Sequence, residues 1–178
     1  TVILKENLEN MFLTKHIVLH VVLIKVINGK ETIEKKKSVD LLVPMNDIDM
    51  IFKDSDYLSI ACPLTPLTRN MIGKKFFKLM KNNAILINTS RGQIVNENDL
   101  ITALETNEIG GAALDVFARE PLDPQSRLFK LSNVFLSPHI SGNFSKYQEI
   151  MIKQFGDMLI KYMNNKSLKN RICKKRLY

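Results

Sequence analysis

Short runs of β-branched and aliphatic residues alternate with stretches of helical periodicity, and this alternation constrains the fold more than any other feature of the chain. Tyr57–Ala61, Ala84–Asn88, Ala112–Phe117 and Asn133–Ser137 read as strands. The second of these, Ala-Ile-Leu-Ile-Asn, is a continuous apolar run of the kind a central parallel strand requires. Met45–Lys53, Lys74–Met80 and Glu97–Glu105 read as helices between them. Asn46 or Asp47 is placed to cap the first, and Asn96 the third, whose apolar Leu100, Ile101 and Leu104 share one face. The pattern predicts βαβ units building a doubly wound parallel sheet, an α/β Rossmann-like fold with helices on both faces. Thr1–Leu4 and part of Ile17–Ile27 supply the first two strands, with a divergent first βα unit.

The longest helix is expected over Ser145–Met163, where Ile150, Met151, Phe155, Met158, Leu159 and Tyr162 recur at helical spacing and read as core packing. No internal repeat, low-complexity tract or linker interrupts the chain, so one domain is expected over 1–165, followed by a basic tail over 166–178.

Composition removes several classes. The chain of 178 residues is 45% hydrophobic and 25% charged, as soluble globular domains are. The best apolar run, Ile17–Ile27, contains His20 and Lys25 and is too short to span a bilayer, which argues against membrane insertion. The 2 cysteines, Cys62 and Cys173, are far apart and lie in no ligand-spaced cluster, so neither a disulfide scaffold nor a metal site is expected, and a reducing, cytoplasmic location is. The start at Thr1 shows no secretory signal and no initiator methionine, which suggests a fragment. Net charge is +8, but six basic residues and no acid fall between Lys166 and Tyr178, leaving the rest nearly neutral. A solvated tail explains that better than a nucleic-acid face.

Open parallel sheets bind ligands beyond the carboxyl ends of their strands. Four predicted strand ends carry polar residues there: Cys62–Thr68, Thr89–Gly92, Asp115 with Arg119–Pro121, and Pro138–Gly142. Together they offer Arg91, Asp115, Glu120 and His139 to one edge. This set suits reduction of a 2-keto acid. A permanently charged planar fork, Arg91, holds the substrate carboxylate and polarises the ketone. An imidazole titrating near neutrality, His139, supplies the proton. A neighbouring carboxylate, Glu120, fixes its tautomer and favours its charged form. A nicotinamide must supply the hydride, since no side chain does, and Asp115 suits its carboxamide. Taken singly, Glu120 also reads as a turn carboxylate before Pro121, Asp115 as an acceptor of loop N–H groups, and His139 as a satisfied loop histidine.

The segments Cys62-Pro-Leu-Thr-Pro-Leu-Thr68, Ile85-Leu-Ile-Asn-Thr-Ser-Arg91-Gly92, Gly111-Ala-Ala-Leu-Asp115-Val-Phe-Ala-Arg-Glu120-Pro121-Leu122 and Ser137-Pro-His139-Ile-Ser-Gly142 resemble the nucleotide-binding domain of the D-isomer-specific 2-hydroxyacid dehydrogenases. The likeness runs over residues 39–165 with the motifs in family order. It implies a catalytic set of Arg91, Glu120 and His139. It also implies a cofactor site for NAD or NADP, contacted by Cys62, Pro63, Thr68, Thr89, Ser90, Arg91, Asp115, His139 and Gly142. Hydride transfer with a D-2-hydroxy acid or its 2-keto partner, and a homodimer, follow from the same resemblance.

Two departures stand out. Where the family has a glycine-rich turn after its first strand, Lys5, Asn7 and Asn10 replace the glycines, and Glu6 and Glu9 add negative charge where a pyrophosphate would sit. The family's substrate domain, which precedes the nucleotide-binding domain, is not in this sequence, so the chain would supply one wall of a two-domain cleft. Asn28, Gly29 and Lys30 stand where an acid would bind an adenosine ribose, leaving NAD and NADP both open. The competing expectation is an inactive Rossmann-fold relic or interaction module that has lost pyrophosphate binding.

Overall fold

A computed structural model of the chain describes residues 19–22 and 47–168. It contains five strands and four α-helices among those residues: β1 (Leu19–Val22), α1 (Ile48–Asp54), β2 (Tyr57–Ile60), α2 (Lys74–Phe77), β3 (Ile85–Asn88), α3 (Glu97–Glu105), β4 (Gly111–Leu114), β5 (Val134–Leu136) and α4 (Tyr147–Met163). The strands form one sheet in the order β1-β2-β3-β4-β5, and every neighbouring pair is parallel. This is the Rossmann-like α/β arrangement the alternation predicts. The order steps in one direction only among the described residues. The expected first strand, Thr1–Leu4, and the Lys5–Asn10 turn lie outside them.

Register explains the core. Leu58, Leu86, Ala112 and Val134 lie side by side across the sheet, as do Ile60, Asn88, Leu114 and Leu136. Leu58, Ile60, Leu86, Ala112 and Leu114 join a single core cluster with Ile48, Ile51 and Phe52 of α1, Phe77 of α2, and Leu100, Ile101 and Leu104 of α3, and Val134 and Leu136 pack against it. Parallel strands stepping one way, joined by right-handed crossovers, place their helices on one face. The face bearing Tyr57, Ser59, Ile85, Ile87 and Ala113 is only half-buried, and Phe135 on it is 70% exposed. Among the described residues, those of α1, α2 and α3 named above pack with the face bearing Leu58, Leu86 and Ala112.

Local rules set the helix ends unevenly. Asn96 caps α3 as predicted, its side chain accepting from the Asp99 amide at 3.2 Å. Asp99 in turn accepts from the Lys74 amide at 2.9 Å and so joins the start of α2 to α3. α1 begins after Asp47, but no cap bond from that side chain forms. Its hold comes instead from burial of Ile48, Ile51 and Phe52, the last stacked on Phe76 at 4.2 Å between ring centroids.

The chain divides into two compact units, Thr1–His139 and Ile140–Tyr178. The span 1–165 expected as one domain includes residues of both units. In the second unit, α4 forms where the periodicity places it, but none of its residues is buried. Ile150, Met151, Phe155, Met158, Leu159 and Tyr162, read from sequence as core, are all exposed. Helical periodicity identifies an apolar face and not its partner. Among the described residues no helix is long and apolar enough to cross a membrane.

Candidate active site

Because the strands are parallel, their carboxyl ends meet at one edge, and the loops after β2, β3, β4 and β5 gather there. The organising side chain is Asn88, the last residue of β3, which is 1% exposed. A buried amide must find partners. Its Nδ2 donates to the Arg91 carbonyl and its Oδ1 accepts from the Ser90 amide, both at 3.1 Å. Its main-chain oxygen accepts from the Asp115 amide at 3.0 Å. The Ser90 hydroxyl donates to the Cys62 carbonyl, tying the turn to the loop after β2. Thr89 and Arg91 are exposed on this clamped turn, and the Arg91 Nη1 donates to the Ser90 carbonyl at 2.6 Å.

Beyond β4 the chain is held from several sides. Asp115 is 3% exposed, and the Ser137 hydroxyl donates to its Oδ1 at 2.5 Å, linking the loops after β4 and β5. Gly92 lies under the Phe117–Ala118 peptide, where a Cβ would fall 1.9 Å from the Phe117 carbonyl carbon, so only glycine fits. Gln93 Nε2 donates to the Ala118 carbonyl, and the Ala118 amide donates to Glu97 Oε2, each at 2.9 Å. The next turn delivers Glu120. Its Oε1 accepts from the Phe117 amide at 3.0 Å, and its Oε2 lies 2.8 Å from His139 Nδ1. His139 takes a left-handed backbone, with φ 56°, uncommon outside glycine and typical of over-determined sites.

Charge follows this geometry. Burial pushes the Glu120 carboxyl upward, but the hydrogen bond from His139, the Phe117 amide, and the positive charges of His139 and Arg91 outweigh it and hold the group below the usual 4.5. Glu120 is therefore an ionised acceptor, which makes His139 Nδ1 the donor. The three residues expected to act together do share one electrostatic neighbourhood: Glu120 and His139 pair directly, and Arg91 acts on the same carboxylate through its charge.

The remaining expected contacts vary. The Cys62 thiol is buried, and that burial pushes it up to about 11, well above a nucleophilic range. Thr68 is buried, its hydroxyl donating to the Pro63 carbonyl at 2.7 Å and accepting from the Thr65 amide at 2.8 Å, so it closes its own loop. Pro63 is half-buried on that loop. Gly142 falls in the second unit and is exposed. Asn28–Lys30 lie outside the described residues. Sequence reasoning missed Asn88, Ser137, Gln93 and Glu97 as site residues. Only Asn88 left a signal, a polar residue ending an otherwise apolar buried strand. Among the described residues no group of three or more His, Cys, Asp or Glu side chains is placed to hold a metal ion.

Residues 13–141 match the model of the D-isomer specific 2-hydroxyacid dehydrogenase NAD binding domain. Glyoxylate reductase of Thermococcus litoralis is 48% identical over 116 residues, covering 65% of this chain and 35% of its own. D-3-phosphoglycerate dehydrogenase of Synechocystis sp. is 47% identical over 102 residues, covering 57% of this chain and 18% of its own. A D-isomer specific 2-hydroxyacid dehydrogenase from Xanthobacter autotrophicus Py2, solved with NADPH and MES, superimposes with a TM-score of 0.76 at 26% identity, covering 84% of this chain and 61% of that one. The chain thus spans about a third or less of these curated relatives. With the family model covering most of the sequence and the sheet matching the solved neighbour, this chain belongs to the D-isomer specific 2-hydroxyacid dehydrogenase family, through its NAD binding domain.

Proposed function

We propose that this chain supplies the nucleotide-binding and proton-transfer half of an oxidoreductase acting between a D-2-hydroxy acid and its 2-keto acid. The observation that carries the reading is the 2.8 Å pairing of Glu120 Oε2 with His139 Nδ1 at the carboxyl edge of a parallel sheet, within the field of Arg91.

Each residue then has a part. Glu120, kept ionised, holds the His139 ring through Nδ1 and fixes its orientation. His139 donates the proton from Nε2 to the developing alkoxide in reduction and takes it back in oxidation. Arg91 presents its planar guanidinium to the substrate carboxylate and carbonyl oxygen. The donor set fits a nicotinamide dinucleotide: Asp115 is a buried carboxylate suited to an amide NH2, its amide bonded to the Asn88 carbonyl at the start of the turn that Ser90 ties to the Cys62 loop. Bound NAD or NADP supplies the hydride. The NADPH in the Xanthobacter relative supports the phosphorylated form as readily as NAD. Glyoxylate is the first substrate to try, given the Thermococcus relative. A homodimer in the cytoplasm completes the reading, with no role for nucleic acid.

Isothermal titration of this chain with NADH and NADPH tests the cofactor, and oxidation of either by the full-length protein with glyoxylate tests the reaction. Saturable micromolar binding together with turnover is expected. Absence of heat at millimolar cofactor would leave the relic as the better account.

A further inference from the structure

We infer that Gln93 and Glu97 are positioning residues that hold Ala118 by both its backbone groups and thereby set the Glu120–His139 pair. The inference rests on the proposed role of that pair. Gln93 offers a donor to the Ala118 carbonyl and Glu97 an acceptor to the Ala118 amide, both at 2.9 Å and both half-buried. Neither residue touches Glu120 or His139. They reach them through the backbone: Ala118 lies inside the turn in which the Phe117 amide donates to Glu120 Oε1, which directs Oε2 to His139.

Three features show that this grip is specific. The two bonds have opposite polarity and fall on the successive peptide planes either side of the Ala118 Cα, so they fix the direction of the chain there and do not merely pull on a loop. Gly92 gives the first of these two peptides, Phe117–Ala118, a floor that no side chain can share. All three residues come from one rigid source, the 3-10 turn Gly92–Ile94 and the first residue of α3, itself capped by Asn96. A carboxylate held by a peptide of fixed orientation loses little freedom on pairing with an imidazole, which is what a preorganised acid–base couple needs.

The experiment reads the tautomer of neutral His139 by two-dimensional 15N NMR of the ring, with His139→Gln assigning the signal among the 3 histidines. In the unmodified chain the proton sits on Nδ1, facing Glu120. Glu97→Ala and Gln93→Glu, the second keeping size but reversing polarity, are expected to cut the Nδ1–H fraction by about half or more, whereas Glu97→Gln, still an acceptor, keeps it. In the full-length protein the first two lower kcat about tenfold at nearly constant KM for the nicotinamide. An unchanged tautomer in folded Glu97→Ala and Gln93→Glu overturns the inference. The NMR readout needs neither cofactor nor turnover, so a failure of the proposed function shows separately, as absent cofactor binding with the tautomer shifts intact.

Discussion

Glu120 and His139, nineteen positions apart in two different loops, meet at 2.8 Å through Oε2 and Nδ1. The carboxylate's other oxygen is held by the Phe117 amide, and together these contacts bring its titration below the usual 4.5 despite the opposing effect of burial. A carboxyl depressed on folding stabilises the native state above its unfolded value and loses that contribution as pH falls through its folded value. The loss should therefore come below pH 4.5. Exposure of both partners limits it to less than about 1 kcal/mol. A 13C titration of the Glu120 carboxyl should give a midpoint under 4.5, moving upward in His139→Gln. A midpoint at or above 4.5 in the unmodified chain contradicts the pairing.

If His139 carries the proton, replacing it should separate chemistry from binding. His139→Gln in the full-length protein is expected to lower kcat by about a hundred- to ten-thousandfold, the usual scale of general acid–base catalysis. Glu120→Gln, which keeps shape but removes the charge behind the ring, should cost less. Calorimetry should show cofactor affinity little changed in both. Full turnover in His139→Gln would remove this histidine from the reaction.

Much of this was legible in the sequence, and the reasons differ by element. The α3 boundaries followed from Asn96 and the spacing of Leu100, Ile101 and Leu104, all local signals. The Glu120–His139 meeting was legible only because parallel strands send their carboxyl ends to one edge, a topological rule. The exposure of α4 was not, since an apolar stripe at helical spacing does not say whether anything packs on it. The grip of Gln93 and Glu97 on Ala118 was hidden too: in sequence, Glu97 is just an acid in the first turn of a helix, and its partner lies 21 positions on. Thr68, expected at the cofactor, spends its hydroxyl inside its own loop, a local bond that the motif alone does not reveal.

The turn bearing Arg91 should be the most mutation-sensitive part of the edge. Asn88→Ala strands the Ser90 amide and the Arg91 carbonyl, each left without its buried partner, at about 1–3 kcal/mol. Gly92→Ala forces a methyl into the Phe117 carbonyl, an overpacking cost of about 1–3 kcal/mol. Thermal unfolding should register each at roughly 2–4 °C per kcal/mol for a chain of this size. Wild-type melting of Gly92→Ala would mean that the Phe117–Ala118 peptide does not lie where the structure puts it.

Cys62 offers a chemical check on the core beneath the site. The thiol is buried at the end of β2 beside the carbonyl that accepts from Ser90, and its burial pushes it up to about 11. At pH 8 only about one thiol in a thousand is then the reactive thiolate, and that one is shielded by packing. Iodoacetamide applied to the native chain should leave Cys62 unmodified over hours, while the same treatment in denaturant modifies it fully, as peptide mass mapping would show. Ser90→Ala removes the hydroxyl that ties the turn to this loop, so the native protection should weaken in that variant as the loop opens more often. Rapid native alkylation of Cys62 in the unmodified chain would place the thiol at the surface and break the link between the loop after β2 and the Arg91 turn.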